Sequence, residues 1–283
     1  MPHVAVPPLP ADLRDPYLAH LGVVHGHVGT EPTLERLVAL HAAHLDRVAY
    51  TNLDVQLGRP GSIDPRQSVE RILDGRGGYC FHLNGAFSAL LRSLGYEVVL
   101  ARAAVPAAGD GGRRWGNHVV PLVWLAGEVF VVDVGIGDGI RSPLRLAEGT
   151  SVQPPFRYRL EHRGGERWRL DHDRRAFVPG LDLDTTPVEL SRFAATHTDL
   201  STSADSYFVR YFTVQRRAAD HVLTMRGRVL TRVDTSGTSC RMIHNREEWE
   251  AVLVEKFGLV LPIKSEHERS ALWRRVYAPH AAR

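Results

Sequence analysis

The spacing of apolar residues changes near residue 95, and this change limits the folds that the chain can adopt. Before that point apolar residues recur at helical spacing, and after it they alternate with polar ones as in strands. Residues 33–48 form the clearest amphipathic helix, a second helix begins at Asp64-Pro65 with Gln67 completing a capping box, and a third runs from Cys80 to Gly95. Helices followed by strands are typical of an α+β protein.

The rest of the chain carries mostly strand-like segments. Those predicted as strands are residues 96–101, 118–125, 128–134, 158–160, 168–170, 208–214, 221–225, 229–233 and 240–243. A helix is predicted from Thr186-Pro187 to residue 196, a serine- and threonine-rich loop at 201–206, and a closing helix at 247–257. This order indicates three subdomains.

Composition excludes several classes of protein. Hydrophobic residues make up 43% of the 283 and charged residues 24%, as in ordinary globular chains. The longest apolar runs, such as residues 119–126, fall short of the ~20 residues that cross a bilayer. Residues 1–8 lack the basic start and apolar core of a secretory signal. We therefore expect a cytoplasmic protein whose two cysteines are thiols.

The net charge is small, and it argues against a nucleic-acid partner. There are 35 basic and 32 acidic residues, which leaves a formal charge of +3. Nearly all the basic residues are arginines, and they are scattered among acids or alternate along predicted strands rather than forming a stripe. Such spacing is typical of solvated strand faces, and the modest excess suits an anionic small ligand.

Cys80 follows a glycine-rich segment, Arg76-Gly77-Gly78-Tyr79, at the start of the third helix. Amide N–H groups and the helix dipole at such a position stabilise a thiolate, the nucleophilic form of cysteine. The glycines let a substrate approach the backbone closely. The alternative is a small buried cysteine, which is the commoner fate of this residue. Cys240, inside a strand-like run without special neighbours, is interpreted as packing.

The next predicted hairpin supplies the base and the acid that a cysteine nucleophile needs. If Ala126-Gly127 is a two-residue turn, Asp133 faces Val120 and lies diagonal to His118 on the same face of the sheet. A three-residue turn would send Asp133 to the opposite face. A carboxylate among valines is costly to bury unpaired, which favours a functional or capping partner for Asp133.

Other motifs point weakly to other chemistry. The pairs His41 with His44 and His25 with His27 lack a third ligand at a recognisable spacing, so we expect no metal. The run of residues 135–139 follows a strand, but no helical pattern succeeds it, and we interpret it as a wall beside the strand end rather than a dinucleotide site. Two residues with amide side chains, Asn84 and Asn117, lie next to these catalytic candidates. We place neither ahead of Asp133 as the third catalytic residue.

Taken in order, these motifs resemble those of the arylamine N-acetyltransferase family. Residues 50–54 are similar to its Phe-Glu-Asn-Leu segment, and residues 76–80 to its nucleophile motif. Asn117-His118 resembles the histidine strand, residues 132–137 the aspartate strand, and residues 202–208 the Thr-Ser-Pro-x-Ser-x-Phe loop. The resemblance implies a cysteine-protease-like catalytic core in three units. These are a helical bundle (1–95) carrying the nucleophile, a β-barrel (96–198) carrying histidine and aspartate, and an α/β lid (199–283).

The resemblance also implies a reaction. A Cys80-His118-Asp133 triad would move an acetyl group from acetyl-coenzyme A to an arylamine or hydrazine through a cysteine thioester, in a ping-pong route. Acetyl-coenzyme A is then a co-substrate, and no bound cofactor is expected. The residues expected at the donor are Ser201, Thr202, Ser203 and Ser206, with Arg210 adding charge, and those expected in the acceptor pocket are Tyr50, Phe81 and Ile136.

Four positions depart from the pattern of the family. Thr51 and His82 stand where glutamates are usual, Ile136 replaces a phenylalanine and Ala204 replaces a proline. Because the pocket changes, two alternatives stay open beside the acetyltransferase. One is an amide synthase of the same family that closes macrolactam rings on an aromatic amine. The other is a cysteine hydrolase, which shares the chemistry of the triad.

Overall fold

The computed structural model describes residues 6–23, 31–106 and 114–277. The α-helices are α1 (Ala11–His20), α2 (Leu34–Arg47), α3 (Leu53–Gln56), α4 (Pro65–Leu73), α5 (Cys80–Ser93), α6 (Ala194–Thr202), α7 (Tyr207–Arg210), α8 (Arg246–Phe257) and α9 (Glu266–Tyr277). The strands are β1 (Tyr50–Thr51), β2 (Glu97–Ala104), β3 (His118–Leu125), β4 (Glu128–Val131), β5 (Leu144–Arg145), β6 (Gly149–Gln153), β7 (Phe156–His162), β8 (Arg167–Asp171), β9 (Gly180–Val188), β10 (Thr213–Arg217), β11 (His221–Arg226), β12 (Val229–Asp234) and β13 (Gly237–Met242). Mixed helix and sheet confirm the predicted α+β class.

Helix α5 lies at the centre of the first third and is buried on every side from Cys80 to Leu91. It packs against α4 on one side and against β2 and β3 on the other. A helix that is buried on every side belongs inside a core. The helix ends before Gly95, whose φ of 87° is the left-handed conformation expected of a terminating glycine. The first residue of this helix therefore lies where the helical layer meets the sheet.

The central sheet has eight antiparallel strands in the order β5-β4-β3-β2-β9-β8-β7-β6 and forms a nearly closed barrel. Its interior contains apolar side chains from several strands, among them Val99, Val120, Tyr158 and Leu183. The predicted hairpin between residues 158–160 and 168–170 is part of β7 and β8. Strands β2 and β3 form the side of this sheet that faces α5.

The β3–β4 hairpin has the register that the sequence predicts. Ala126 and Gly127 have φ values of 50° and 81°, as in the two-residue turns that suit the twist of a hairpin. Leu122 pairs with Val131, so the two-residue turn is confirmed. The chain leaves the regular ladder after β4, and Asp133 follows two residues later. Since the parity is fixed by the turn, Asp133 remains on the face of His118.

The last third forms a five-stranded antiparallel sheet in the order β1-β10-β11-β12-β13. Its first strand comes from the helical part of the chain, because Tyr50 pairs with Gln215 of β10. Helix α8 covers one face of this sheet and buries Trp249 and Phe257 there. The division of the chain into three units at residues 95 and 198 stays a prediction. Strand β1 belongs to the first of these units and pairs with β10 of the third, so the units share a sheet.

The helix predicted from Thr186-Pro187 to residue 196 is wrong in its first half. Strand β9 continues to Val188, and α6 begins only at Ala194 after a 3₁₀ turn. The pairing between β2 and β9 shifts register between Leu100 and Arg102, opposite this proline. Proline is tolerated in a sheet at such a bulge, because it has no N–H to donate there.

The segment around residues 201–214 also differs from the prediction. Ser201 and Thr202 form the end of α6 rather than a loop, and residues 207–210 form α7 rather than a strand. The Ser206 hydroxyl accepts a hydrogen bond from Phe208 N at 3.1 Å, and this cap starts a helix where the apolar spacing indicates a strand. Strand β10 begins only at Thr213.

Among the described helices none is long and apolar enough to cross a bilayer. The prediction that the chain has no secretory signal rests partly on residues 1–5, which lie outside the described ranges.

Two histidines of α2 are buried in the helical layer without full hydrogen bonding. His41 and His44 are inaccessible to solvent, and their rings contact Phe87 edge to face at centroid distances of 6.1 and 5.1 Å. Neither nitrogen of His44 has a hydrogen-bond partner. Burial lowers the pKa of His44 to about 3 and that of His41 to about 4. Both rings are therefore neutral in the folded protein.

We expect His44→Leu to change how stability depends on pH. Unfolded chains protonate this histidine as the pH falls through ~6.5, whereas the folded state excludes the proton down to about pH 3. The stability that the neutral ring contributes is thus present above pH ~6.5 and is lost as the pH falls. From pH 7 to pH 5 the variant should gain about 2 kcal/mol relative to the wild type in urea unfolding. Parallel curves for the variant and the wild type would contradict this account.

Candidate active site

Cys80 lies at the first position of α5, and only 4% of its surface is exposed. The preceding segment is fixed by β1, because Thr51 N donates to Gly78 O at 2.7 Å. Gly77 has a φ of 61°, and a Cβ there would lie 2.3 Å from Ala49 O. The glycine is therefore required by both conformation and space. Together these constraints place the thiol at the amino end of a buried helix.

His118 and Asp133 meet as the hairpin register predicts. His118 Nε2 lies 2.7 Å from Asp133 Oδ2, and both residues are 3% exposed. The side chain of Cys80 is close enough to act on the ionisation of this imidazole. Its Sγ also lies 3.9 Å from Asn117 O, next to His118. Nucleophile, base and acid therefore lie together at one site.

The second carboxylate oxygen of Asp133 is held by two further groups. Asp133 Oδ1 accepts hydrogen bonds from Asn84 Nδ2 and from Gly135 N, each at 2.8 Å. A Cβ at position 135 would lie 2.8 Å from Cys80 Cα, so only glycine permits this approach of the two chain segments. The other amide named from the sequence, Asn117, instead exchanges two hydrogen bonds with the backbone of Val105.

The charges of the three groups depend on one another. Burial alone would lower the pKa of His118, but the adjacent Asp133 carboxylate and Cys80 thiolate raise it to about 10. Burial alone would raise the pKa of Asp133, but His118 and the hydrogen bonds from Asn84 and Gly135 N lower it. The site thus stabilises an imidazolium between two anions.

The residues expected at the donor lie at the end of α6 and before α7. The hydroxyls of Ser201 and Thr202 donate to Thr198 O at 3.2 and 2.7 Å, and that of Ser206 donates to Leu200 O. Ser201 and Ser206 are buried, whereas Thr202 is exposed and Ser203 is half-buried. Two of the four side chains are therefore engaged inside the protein, and two reach solvent.

The residues expected in the acceptor pocket occupy different surroundings. Tyr50 is close enough to Cys80 and Tyr207 that both act on its ionisation, and burial with these neighbours raises its pKa. Ile136 is 7% exposed and lines a cavity with Ile140, Leu181 and others. Phe81 is fully buried with its ring 5.3 Å from that of Phe193. The structure therefore places Phe81 in the core beneath the site.

Sequence reasoning missed an aromatic cluster beside the thiol. Tyr79, adjacent to Cys80, is 1% exposed, and its hydroxyl oxygen lies 2.6 Å from Nδ1 of His197 in α6. Phe208 of α7 lies against the same ring at a centroid distance of 4.7 Å. The available signal was the four-residue spacing of residues 193 and 197, and the predicted helix end at residue 196 left His197 out of it. The cluster joins the nucleophile helix to α6 and α7.

The positions that depart from the family pattern are accommodated locally. Thr51 Oγ1 donates to Thr213 O at 3.2 Å and accepts from Leu53 N at 3.1 Å. His82 is buried with its ring edge-on to Tyr79, and its Nδ1 accepts from Tyr79 N at 3.4 Å. Burial and the nearby Arg71 and His197 lower the pKa of His82 well below its usual value. Ala204 is exposed between α6 and α7.

The remaining motifs do not add a second chemistry within the described ranges. No group of three or more histidine, cysteine or acidic side chains there could hold a metal ion, and His25 and His27 lie outside those ranges. The glycine run at residues 135–139 has no helix after it, and Gly137 lies directly against Tyr50 and Gln215. The interpretation of Cys240 as packing is wrong, because Cys240 lies exposed on β13, with its Sγ 3.5 Å from Thr231 Oγ1.

The site brings a cysteine, a histidine and an aspartate together, and comparison with known proteins identifies the family. The profile of the N-acetyltransferase family matches residues 33–266. The chain belongs to the arylamine N-acetyltransferase family, and the resemblance stated above is confirmed.

Individual relatives agree over different lengths. The arylamine N-acetyltransferase / N-hydroxyarylamine O-acetyltransferase of Salmonella typhimurium is 37% identical over 136 residues, which is 47% of this chain and 48% of that protein. The chain thus aligns with about half the length of this relative. The arylamine N-acetyltransferase structure from Nocardia farcinica has a TM-score of 0.84 at 29% identity, covering 96% of this chain and 97% of that one. The Mycobacterium marinum enzyme in complex with CoA has a TM-score of 0.80 at 27% identity, covering 93% and 97%.

We expect Asp133→Asn to slow alkylation of Cys80 by iodoacetamide at pH 6 about tenfold or more. The imidazolium of His118 loses its carboxylate, so the thiolate beside it becomes less stable. Peptide mapping by mass spectrometry separates the label on Cys80 from that on Cys240. Asp199→Asn is the control, because it removes an exposed carboxylate that pairs with Arg114 at 2.6 Å. Equal alkylation rates in the wild type and both variants would show that Asp133 does not govern the thiol.

Proposed function

We propose that this protein transfers an acetyl group from acetyl-coenzyme A to the nitrogen of an arylamine or a hydrazine, with Cys80 as the nucleophile. The observation that carries the proposal is the 2.7 Å contact of His118 with Asp133, with Cys80 close enough to act on the ionisation of the same imidazole. Membership of the arylamine N-acetyltransferase family supports the choice of acetyl donor and amine acceptor.

In the first half-reaction the Cys80 thiolate attacks the carbonyl carbon of the acetyl thioester. The bond from that carbon to the sulfur of coenzyme A breaks, and the leaving thiolate takes the proton of the His118 imidazolium. The products are an acetyl-cysteine and a neutral imidazole. Asp133 keeps the imidazole oriented throughout, because its carboxylate is held on both oxygens.

In the second half-reaction the amine nitrogen attacks the acetyl-cysteine. The neutral imidazole of His118 accepts the proton that the amine loses, and the bond from carbon to Cys80 Sγ breaks. Thiolate and imidazolium are then restored, and the amide leaves. Because the donor departs before the acceptor reacts, the kinetics should follow a ping-pong pattern.

For the donor we propose contacts with Thr202 and Ser203, the two hydroxyl residues of residues 201–206 that reach solvent. Ser201 and Ser206 would support the segment from within, since their hydroxyls are bonded to backbone carbonyls. Arg210 is exposed with its guanidinium 5.4 Å from the ring centre of Tyr211, and it adds positive charge suited to phosphate. The CoA complex of the Mycobacterium marinum enzyme supports donor binding in this family.

For the acceptor we propose a pocket bounded by Tyr50 and Ile136. The segment that carries Ile136 begins against Cys80, because Gly135 contacts the helix backbone there. Isoleucine cannot stack on a flat ring as an aromatic residue would. Phe81 supports the pocket from the core through Phe193 rather than facing the amine.

Both cysteines are free thiols, which is in keeping with a reducing compartment such as the cytoplasm.

Intact mass spectrometry tests the proposal directly. After mixing with acetyl-coenzyme A, the protein should gain the mass of one acetyl group, and an aniline should discharge it as acetanilide. Cys80→Ala should abolish the adduct, because the thioester has no sulfur to form on. Cys240→Ala, the matched control, should acquire the adduct as the wild type does.

Two results would count against the proposal. A protein that gains no acetyl group, or gains it on Cys240, does not act through Cys80. An adduct that water discharges as fast as the amine would identify a hydrolase instead.

A further inference from the structure

Asn84 makes three hydrogen bonds around the candidate triad, and none of them is to its own helix. It is inaccessible to solvent. Its Nδ2 donates to Val119 O at 2.7 Å and to Asp133 Oδ1 at 2.8 Å, and its Oδ1 accepts from Val134 N at 2.9 Å. Both amide hydrogens and one acceptor position are thereby used. The side chain has one orientation in which all three bonds form.

The location of Asn84 in the helix explains how it reaches these groups. It lies four residues after Cys80 in α5, so both side chains project from the same face of the helix. Asparagine is a poor residue for a helix interior, because its side chain competes for backbone hydrogen bonds. A locally unfavourable residue at a buried position beside a reactive site indicates a functional constraint. Here the amide bonds to β3 and to residues 133–134 instead of to its own helix.

We propose that Asn84 is the positioning residue of the triad, and that it turns Asp133 so that Oδ2 faces His118. The inference rests on the proposed function. Asp133 Oδ1 is held by Asn84 Nδ2 and Gly135 N, which leaves Oδ2 for the imidazole. Because Asn84 shares a helix with Cys80, the same side chain ties the acid to the element that carries the nucleophile.

Two substitutions separate this role from ordinary packing. Asn84→Ala removes the donor, and Asp133 Oδ1 then retains only the bond from Gly135 N. Asn84→Asp keeps the shape and brings a carboxyl beside the carboxylate of Asp133. Two such groups in contact share one proton over an extended pH range, since both cannot ionise cheaply. The shared proton replaces the amide donor, and it is lost as the pH rises.

Other titratable groups near this position are the members of the triad and one histidine behind it. Cys80 lies on the same helix, His118 on β3 and Asp133 on the following segment. His41 of α2 is close enough to Asp133 to feel its charge, and burial lowers the pKa of His41 to about 4. Arg141, beyond His41, is paired with Asp46 at 2.6 Å. The pH dependence expected of Asn84→Asp therefore comes from its new carboxyl together with Asp133.

The experiment compares the wild type with Asn84→Ala, Asn84→Asp and the control Ser88→Ala. Ser88 lies one turn further along the same helix, is equally buried, and its hydroxyl has no partner. Circular dichroism verifies folding. The first readout is alkylation of Cys80 by iodoacetamide at pH 6, and the second is the rate of acetylation by acetyl-coenzyme A from pH 6 to pH 9.

At pH 6 we expect Asn84→Ala to react about tenfold more slowly than the wild type in both assays. Asn84→Asp should remain within about threefold of the wild type at pH 6 and fall about tenfold relative to it by pH 9, as the shared proton leaves. Ser88→Ala should match the wild type throughout.

Asn84→Ala and Asn84→Asp rates equal to those of Ser88→Ala would overturn the inference. A uniform loss in Asn84→Asp without pH dependence would do the same, because it would indicate packing alone. If Asn84→Ala does not fold, the pH dependence of Asn84→Asp decides. Alkylation of Cys80 does not require acetyl transfer. If the wild type is never acetylated, the proposed function is refuted, but the alkylation rates still test the role of Asn84.

Discussion

The structure depends on keeping one carboxylate charged where water cannot reach it. An ionised group inside a protein is tolerated only when its oxygens are paired, because the loss of hydration is otherwise too costly. Asp133 meets this condition through His118, Asn84 and Gly135 N. Each partner comes from a different part of the chain, so satisfying the carboxylate also brings together the nucleophile helix, β3 and the segment after β4.

The hairpin register is the part of the site that the sequence predicts best. A two-residue turn at Ala126-Gly127 fixes the parity, and parity alone places His118 and Asp133 on one face. The position of Cys80 at a helix start follows as directly from its glycines. These inferences succeed because turns and helix starts are local, and the residues that determine them are adjacent in the chain.

The rest could not be predicted because it depends on contacts between distant segments. Nothing in the spacing of Asn84 shows that Val119 and Val134 lie within reach of its amide. Pro187 indicates a helix start by its preference, yet a bulge opposite Leu100 accommodates it in β9. The core position of Phe81 is likewise set by Phe193, which the sequence places over a hundred residues away. Propensity is overridden wherever tertiary pairing supplies a better partner.

The central claim is that His118 is an imidazolium held between Asp133 and Cys80, and nuclear magnetic resonance of its ring measures this directly. With selectively labelled histidine, the resonances of His118 should show a charged ring throughout the neutral range, because its two anionic neighbours raise its pKa to about 10. Cys80→Ala supplies the assignment and should lower that pKa, since one anion is removed. A His118 ring that titrates near the ordinary value of ~6.5 in the wild type would contradict the account.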